Sequence, residues 1–391
     1  MAEVPTPPFT HWLRPLCAVA GLLQAVFTAV RVLLSYRVLE LGFGGLAIGV
    51  LTALYSLVPL LIAIPIGRLV DTRLLSITLR GGAVVTFAAV MLIGFATNLP
   101  ALAVGSVILG IGNLLTMVAA QSYIPHHGAA EDFDRRFGTF SLWVSIGQTG
   151  GLPLAGVVAS TSLHTSGAVF VMAAVAAAAA IVSWLPGLNS TAPRRDTASR
   201  RQRGSIRSMI ADPGMRAAIF SSLMVLTAID LVSAYLPLLG ERLGWTVLTV
   251  TVILTARSVA SVASRLFLPL LLDNVSRRAL LISGTGVSAL PIAALPISTH
   301  PAIAVLFMVV AGFFWGIAQP LTMTWVANLA PPGNRGSALS LRMTGNRLGQ
   351  VFIPIAAGGV ASVTGIGAVF VTTGALLSIA AATTWRNTHS T

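Results

Sequence analysis

The chain has 391 residues, 55% of them hydrophobic and only 9% charged. Soluble domains carry about 25% charged residues, so this composition excludes a soluble enzyme or scaffold and points to a membrane protein. The formal net charge of +13 comes from 24 basic residues, all of them arginine, against 11 acidic ones. In so apolar a chain that excess marks loops kept on one side of a bilayer rather than a nucleic-acid surface.

The first apolar run, near 13–35, is too long for a signal peptide and lacks a convincing cleavage site. It opens a chain of similar runs and is therefore expected to span the membrane. Eleven more follow, near 45–66, 80–97, 101–123, 138–160, 167–185, 216–238, 245–268, 279–298, 301–328, 337–361 and 366–385. Each approaches or exceeds the roughly 20 residues that cross about 30 Å of hydrocarbon as a helix. The runs are unbroken rather than alternating, so helices are expected and a β-barrel is not. The connections TNLP (97–100) and STH (298–300) are so short that the helices they join must be antiparallel neighbours. The lone Cys17 lies in an apolar run and excludes a disulfide framework.

The two halves of the chain repeat one another. GAVFV at Gly167–Val171 returns at Gly367–Val371, LGF at Leu41–Phe43 returns as LGW at Leu243–Trp245, and Asp71 answers to Asp273. GIGNLLTM (110–117) answers to GIAQPLTM (316–323), and RFGTFSL (136–142) to RGSALSL (335–341), in the same order. A duplicated unit of about 200 residues is expected: repeats at 1–185 and 214–391 joined by a polar linker at 186–213. The linker is rich in Pro, Ser and Arg, and is expected to be flexible, its arginines close to anionic lipid head groups.

Alternating loops place 17 of the 24 arginines on the side of the termini and linker, and two, Arg37 and Arg242, on the other. The remaining five, Arg31, Arg257, Arg265, Arg342 and Arg347, fall inside spans. The positive-inside bias predicts a multi-pass protein of the inner membrane with both termini cytoplasmic.

Six plus six helices, two parallel repeats and a cytoplasmic central loop resemble the major facilitator superfamily of secondary transporters, over nearly the whole chain. The motif after the second helix of that family is similar to GRLVDTRLLS, with Gly67, Leu69, Asp71 and Arg73 in place and Leu74 to Ser76 departing from it. Its echo is PLLLDNVSRR, with Asp273, Arg277 and Arg278. The resemblance implies that Asp71 meets the start of the eleventh helix near Arg335 and Arg342. By symmetry it places Asp273 at the start of the fifth, near Arg135 and Arg136. A carboxylate there favours the positive end of a helix dipole. In the fourth helix Leu102 and Gly110 keep the family register, but Ser106 stands where proton-coupled members carry Arg. Gly138, Gly147 and Gly151, then Pro153 and Gly156, resemble the fifth-helix motif of antiporters and lean toward export. Gly336, Gly345 and Gly349 repeat the same spacing in the eleventh helix, so a packing role accounts for the glycines as well.

Polar residues within lipid are costly and usually face the bundle interior. The spans carry Gln24, Arg31, Asn113, Gln121, Gln148, Asp230, Arg257, Gln319, Asn328, Asn346, Arg347 and Gln350, while the third, sixth, ninth and twelfth hold no charge in mid-span. Arg257 and Arg347 lie near the midplane, where substrates of such transporters bind between the repeats. Their repeat positions are Tyr55 and Gln148. The expected substrate contacts are these four with Asn113, Gln319, Asn346 and Trp315. Asp230, the one acidic residue deep in a span, is expected to pair with Arg31 as an outer gate, to carry a coupling proton, or to hold a purely structural ion pair.

No Asp-rich metal motif, no HExxH and no Ser/His arrangement is present, and His126 and His127 fall in an expected loop. An enzyme is therefore not expected, nor a cofactor or metal. The reading is an all-α carrier working by alternating access, exporting a small molecule in exchange for protons. The alternative is an importer of a small organic anion or phosphate ester, and a channel is the remote alternative. A drug exporter would use an aromatic pocket of Tyr55, Trp143, Phe314 and Trp315. Expected partners are the substrate, a coupling ion (a proton) and membrane lipids, with no nucleic acid and a monomeric state.

Overall fold

Each apolar run becomes a helix, and most of these helices are longer than hydrocarbon thickness requires. In the computed structural model, which describes residues 12–70, 75–126, 133–160, 164–188, 206–330 and 335–387, the helices are α1 (Leu13–Glu40), α2 (Gly45–Val70), α3 (Leu75–Phe95), α4 (Leu99–His126), α5 (Phe133–Ala159) and α6 (His164–Ser183). After them come a short α7 (Ile206–Ala211), then α8 (Pro213–Arg242), α9 (Val247–Asn274), α10 (Arg277–Ala294), α11 (Pro301–Leu329), α12 (Arg335–Thr364) and α13 (Ile366–Asn387). Eleven of these are long and apolar enough to cross a membrane. The remaining long one, α12, has 30 residues and carries Arg342, Asn346, Arg347 and Gln350. Helices outrun the expected spans at their polar ends: α1 continues to Glu40, which Arg37 holds at 2.7 Å. His126 belongs to the last turn of α4 rather than to a loop.

Side chains close the exposed helix starts. Asn98, Asp212, Thr246 and Ser276 accept the backbone N–H of Ala101, Met215, Thr249 and Ala279. These are N-terminal caps that satisfy otherwise orphaned donors. The ends of α1 and α8 are alike. Gly42 and Gly244 take φ of 79° and 71°, a left-handed turn that glycine enters without steric cost. Phe43 and Trp245 then donate back to the carbonyls of Val38 and Gly240. The sequence match LGF/LGW is thus one helix-capping device used twice.

Packing repeats as well. In the first half α1 lies against α5 and α6, α3 against α4 and α6, and α2 against α4. In the second, α8 lies against α12 and α13, α10 against α11 and α13, and α9 against α11. Close approaches recur at the equivalent helix crossing in each half. A Cβ on Gly110 would collide with the Tyr55 carbonyl, and one on Gly312 with the Arg257 carbonyl. Both contacts join the fourth helix of a half to its second, and a side chain would force them apart. The fold is therefore twelve membrane helices in two six-helix repeats.

The halves touch through α2 with α12 and α5 with α9, and α1 meets α8 along the centre. The first two contacts lie at the end of the bundle away from the chain termini. There Gly49 packs against the Pro354 carbonyl and Gly156 against Thr251. Tyr235 on α8 directs its hydroxyl at the carbonyls of Gly45 (3.1 Å) and Pro354 (3.0 Å), bridging α2 and α12. The linker is anchored where it is described. Leu188, in a short 3₁₀ turn, is buried and its carbonyl accepts the Tyr123 hydroxyl, while α7 packs on α8 and α12. Residues 189–205 lie outside the described residues.

Candidate functional site

Between the halves lies a cavity of about 540 Å³, lined by side chains of α1, α2, α4, α5, α8, α9, α11 and α12. Among the described residues none of its lining comes from α3, α6, α10 or α13, the four helices without mid-span charges. Its deep end holds Arg31, Tyr55, Asp230 and Arg257. Its walls pass Gln121, Ser141, Arg265 and Met343, which are exposed, toward the end that carries the termini. At the other end the α2–α12 and α5–α9 contacts close it. A larger hollow of about 830 Å³ lies at that closed end, but its walls are almost wholly apolar apart from Arg242 and Ser362. With no converging polar groups, it is not the chemical site.

One wall of the inner cavity is neutral. Gln148 Nε2 donates to Gln24 Oε1 (3.1 Å), Gln24 Nε2 to Asn113 Oδ1 (3.5 Å), and Asn113 Nδ2 to the Tyr55 oxygen (2.5 Å). This chain of amides runs from α5 through α1 and α4 to α2. Arg31 stands over the Tyr55 ring, 4.8 Å from its centroid, and donates to Asp230 Oδ1 at 2.8 Å. The other Asp230 oxygen accepts Gln350 Nε2 at 2.6 Å, and Gln350 Oε1 accepts Arg347 Nη1 at 3.2 Å. A single carboxylate thus ties α1, α8 and α12 together at the blind end.

The opposite wall is basic. Arg257, Arg265, Arg342 and Arg347 line it, and none has a carboxylate partner among the described residues. Arg257 is buried, with 7% of its surface exposed. Its Nη2 reaches only the neighbouring Ser258 hydroxyl at 3.3 Å, and its Nε has no partner. Arg342 reaches the Gln319 carbonyl and the Thr322 hydroxyl. With Arg31, five guanidiniums face one carboxylate in the described lining. Guanidiniums remain protonated, so the cavity is positively charged.

Of the twelve polar residues found within the spans, all but Asn328 line this cavity, and Asn328 is exposed. The expected contacts Arg257, Arg347, Tyr55, Gln148, Asn113, Gln319 and Asn346 come together there. Trp315 does not. It is 1% exposed and donates its indole N–H to Ser288 Oγ on α10 at 3.0 Å. A buried indole needs an acceptor, and the hydroxyl that supplies it lies on a peripheral helix. Trp143 and Phe314 are also absent from the lining, Trp143 being exposed on the bundle surface. The expected aromatic pocket is therefore reduced to Tyr55 with Phe27 and Phe140. Arg265, Arg342, Thr28 and Thr149 line the cavity and were not assigned to it from sequence. For the arginines, their position inside a span was the available signal.

The motif residues are only partly in view. Asp71 and Arg73 lie outside the described residues, and Gly67 is in the last turns of α2. Asp273 is exposed near the end of α9 and forms no ion pair with Arg136. Arg136 is buried with its guanidinium 5.7 Å from the Trp12 ring centroid. Arg277 is exposed, and Arg278 donates to the Trp385 carbonyl. The glycines of the antiporter-like pattern meet backbone: Gly147 and Gly151 press on the carbonyls of Gly21 and Ala25. Gly345 and Gly349 press on Ile219 and Leu223 of α8. In both halves glycines of this spacing sit at close helix contacts.

The described residues form a helical membrane protein with a polar cavity between two repeats, closed at one end. The chain belongs to the Major Facilitator Superfamily, which it matches over residues 16–253 and 218–390. Its fold is similar to that of the nucleoside transporter NupG in a mutant form, with a TM-score of 0.80 at 15% identity, over 96% of this chain and 99% of that one. It is equally similar to a bacterial homologue of the human lysosomal transporter Spinster in an inward-facing, unoccupied conformation, with a TM-score of 0.80 at 15% identity, over 98% of both chains. A D-xylose–proton symporter follows with a TM-score of 0.76 at 16% identity, over 95% of this chain and 96% of that one. No curated protein matches the sequence. The protein is a transporter, not an enzyme.

Proposed function

We propose that the protein carries a small organic anion across the inner membrane by alternating access. The observation that carries the reading is the imbalance of charge in the cavity, five arginines against Asp230. A cavity left net positive in low dielectric is strained unless an anion offsets it, and guanidiniums suit carboxylate or phosphate. The rival reading, a drug exporter, needed aromatic walls that Trp143, Phe314 and Trp315 do not supply.

In this proposal 1–185 and 214–391 rock against each other about the linker 186–213 in a monomer. The arginine-rich end with both termini faces the cytoplasm, so the cavity described is open inward. Asp71 and Asp273 act in the opposite, outward-open state, which fits the exposure of Asp273 here. Asp230 is the one acidic group in the described lining and is the coupling group if protons drive transport. A blind cavity favours a carrier over a channel, and counterflow in proteoliposomes separates the two.

The test is titration of the purified protein with carboxylates and phosphate esters on one side and tetraphenylphosphonium on the other. Anions should bind, and Arg257→Gln should weaken them tenfold or more, as loss of a charge-assisted contact of about 1.5–3 kcal/mol requires. Binding of the cation alone, unchanged in Arg257→Gln, would refute the proposal.

A further inference from the structure

We infer that the anion is a hydroxylated acid: its acid group sits on Arg257 while a hydroxyl meets Asn346. This rests on the anion reading above and adds a second requirement. Two cavity-lining side chains are more than nine-tenths buried and incompletely bonded. Arg257 leaves Nε unpartnered, and Asn346 leaves Oδ1 unpartnered, each side chain belonging to a residue 7% exposed. Asn346 spends its amide nitrogen on the Ser222 hydroxyl at 3.1 Å. If the amide were turned over, Ser222 would donate to its oxygen and the NH₂ would be the unpartnered end. A ligand hydroxyl satisfies either case, because it both donates and accepts.

Native structures leave few buried polar groups unpaired, and those that remain call for an explanation. Here the two orphans differ in kind. The guanidinium asks for an acceptor with charge. The amide sits beside Arg347 on α12 and asks for a neutral polar partner. Thr149 on α5 is a third lining group with an unpartnered hydroxyl. The amide chain Gln148–Gln24–Asn113 lies on that side as well. A purely hydrocarbon acid would neutralise Arg257 but leave the Asn346 amide and the Thr149 hydroxyl without partners. A site built to bond a hydroxyl rejects the analogue that lacks it far more strongly than an apolar pocket separates two hydrocarbons. A volume of about 540 Å³ accommodates a molecule of metabolite size.

The experiment compares gluconate with hexanoate, acids of the same chain length with and without hydroxyls, and adds glucose 6-phosphate and glucose. Binding is measured by isothermal titration of the full-length protein in detergent. Gluconate or glucose 6-phosphate should bind at least tenfold tighter than hexanoate, which of the two leads showing whether the acid group is carboxylate or phosphate. Asn346→Leu should collapse that ratio toward one, and Arg257→Gln should weaken every acid together. If Asn346→Leu does not fold, Asn346→Ala carries the same expectation. Hexanoate binding as tightly as both hydroxylated acids, or a ratio unmoved by the Asn346 variant, overturns the hydroxyl requirement and leaves the anion reading standing. Failure of all three acids to bind, or binding of glucose as tight as that of the acids, overturns the anion reading and this inference with it.

Discussion

Arg31 on α1 and Asp230 on α8 meet at 2.8 Å, 199 residues apart in sequence, at the blind end of the cavity. Asp230 is 3% exposed and also accepts from Gln350, so its charge is held by groups from both halves. Removing one member of a buried pair strands the other, at a cost of roughly 3–5 kcal/mol. Arg31→Met and Asp230→Leu should each lower the melting temperature sharply. The double variant should recover most of that loss, because an apolar pair of similar volume replaces the ion pair. Transport should not recover. Additive destabilisation in thermal melts of the three variants would show that the two residues do not act as a pair.

The Tyr235 hydroxyl bridges the carbonyls of Gly45 and Pro354, one in each half. Tyr235→Phe keeps the ring and removes the bridge. A buried hydrogen bond contributes about 1 kcal/mol, so the closed end should open roughly five times more often. Cys17 is the only cysteine in the sequence and is buried, which leaves the protein suited to a single reporter. A cysteine placed at Ile48, buried beside this contact, should react faster with a maleimide when combined with Tyr235→Phe than when Tyr235 is kept. Equal rates in both backgrounds would mean that the hydroxyl does not hold the end shut.

Gly110 and Gly312 stand where a Cβ would meet the carbonyls of Tyr55 and Arg257. The side chains of those two residues both line the cavity, one from each half. Gly110→Ala and Gly312→Ala should each separate a helix pair and displace the side chain beyond it. Overpacking costs typically 1–3 kcal/mol, visible as a lower melting temperature. Gly312→Ala should additionally weaken anion binding through Arg257. Wild-type melting in both variants would contradict the close approach.

The helices were legible because a bilayer imposes a length and excludes charge, so twelve runs could be counted from composition alone. The division between lining and peripheral helices was legible for the same reason, since lipid tolerates no stray arginine. Which face of a helix a residue takes was not. Trp315 and Gln319 lie one turn apart on α11, yet the first meets Ser288 on α10 and the second lines the cavity. Hydropathy does not distinguish two buried faces of one helix. Nor did it show that Gln24, Asn113 and Gln148 bond to one another, because their contacts span as many as 124 residues. Arg265 and Arg342 were visible as arginines inside spans, but the mouth they line exists only once the halves are tilted apart at that end.

The fourth helices of the two halves, α4 and α11, make the last prediction. Trp315 fills the α10–α11 interface, where Ser288 satisfies its indole N–H. Asn113 lies in the cavity wall and bonds Tyr55 and Gln24. Trp315→Phe removes volume and leaves the Ser288 hydroxyl without its donor, so it should destabilise by about 1–3 kcal/mol. Because no part of Trp315 lines the cavity, ligand affinity in the surviving folded protein should stay within twofold of wild type. Asn113→Leu should do the reverse. It removes a bonded group from the cavity wall, leaves the Tyr55 hydroxyl and the Gln24 amide to find new partners, and changes binding more than melting. Thermal melts and titrations on the two variants give four numbers, and the expected pattern is crossed. A Trp315→Phe variant that melts normally but loses ligand would put the indole back in the binding site and overturn its assignment to the α10–α11 interface.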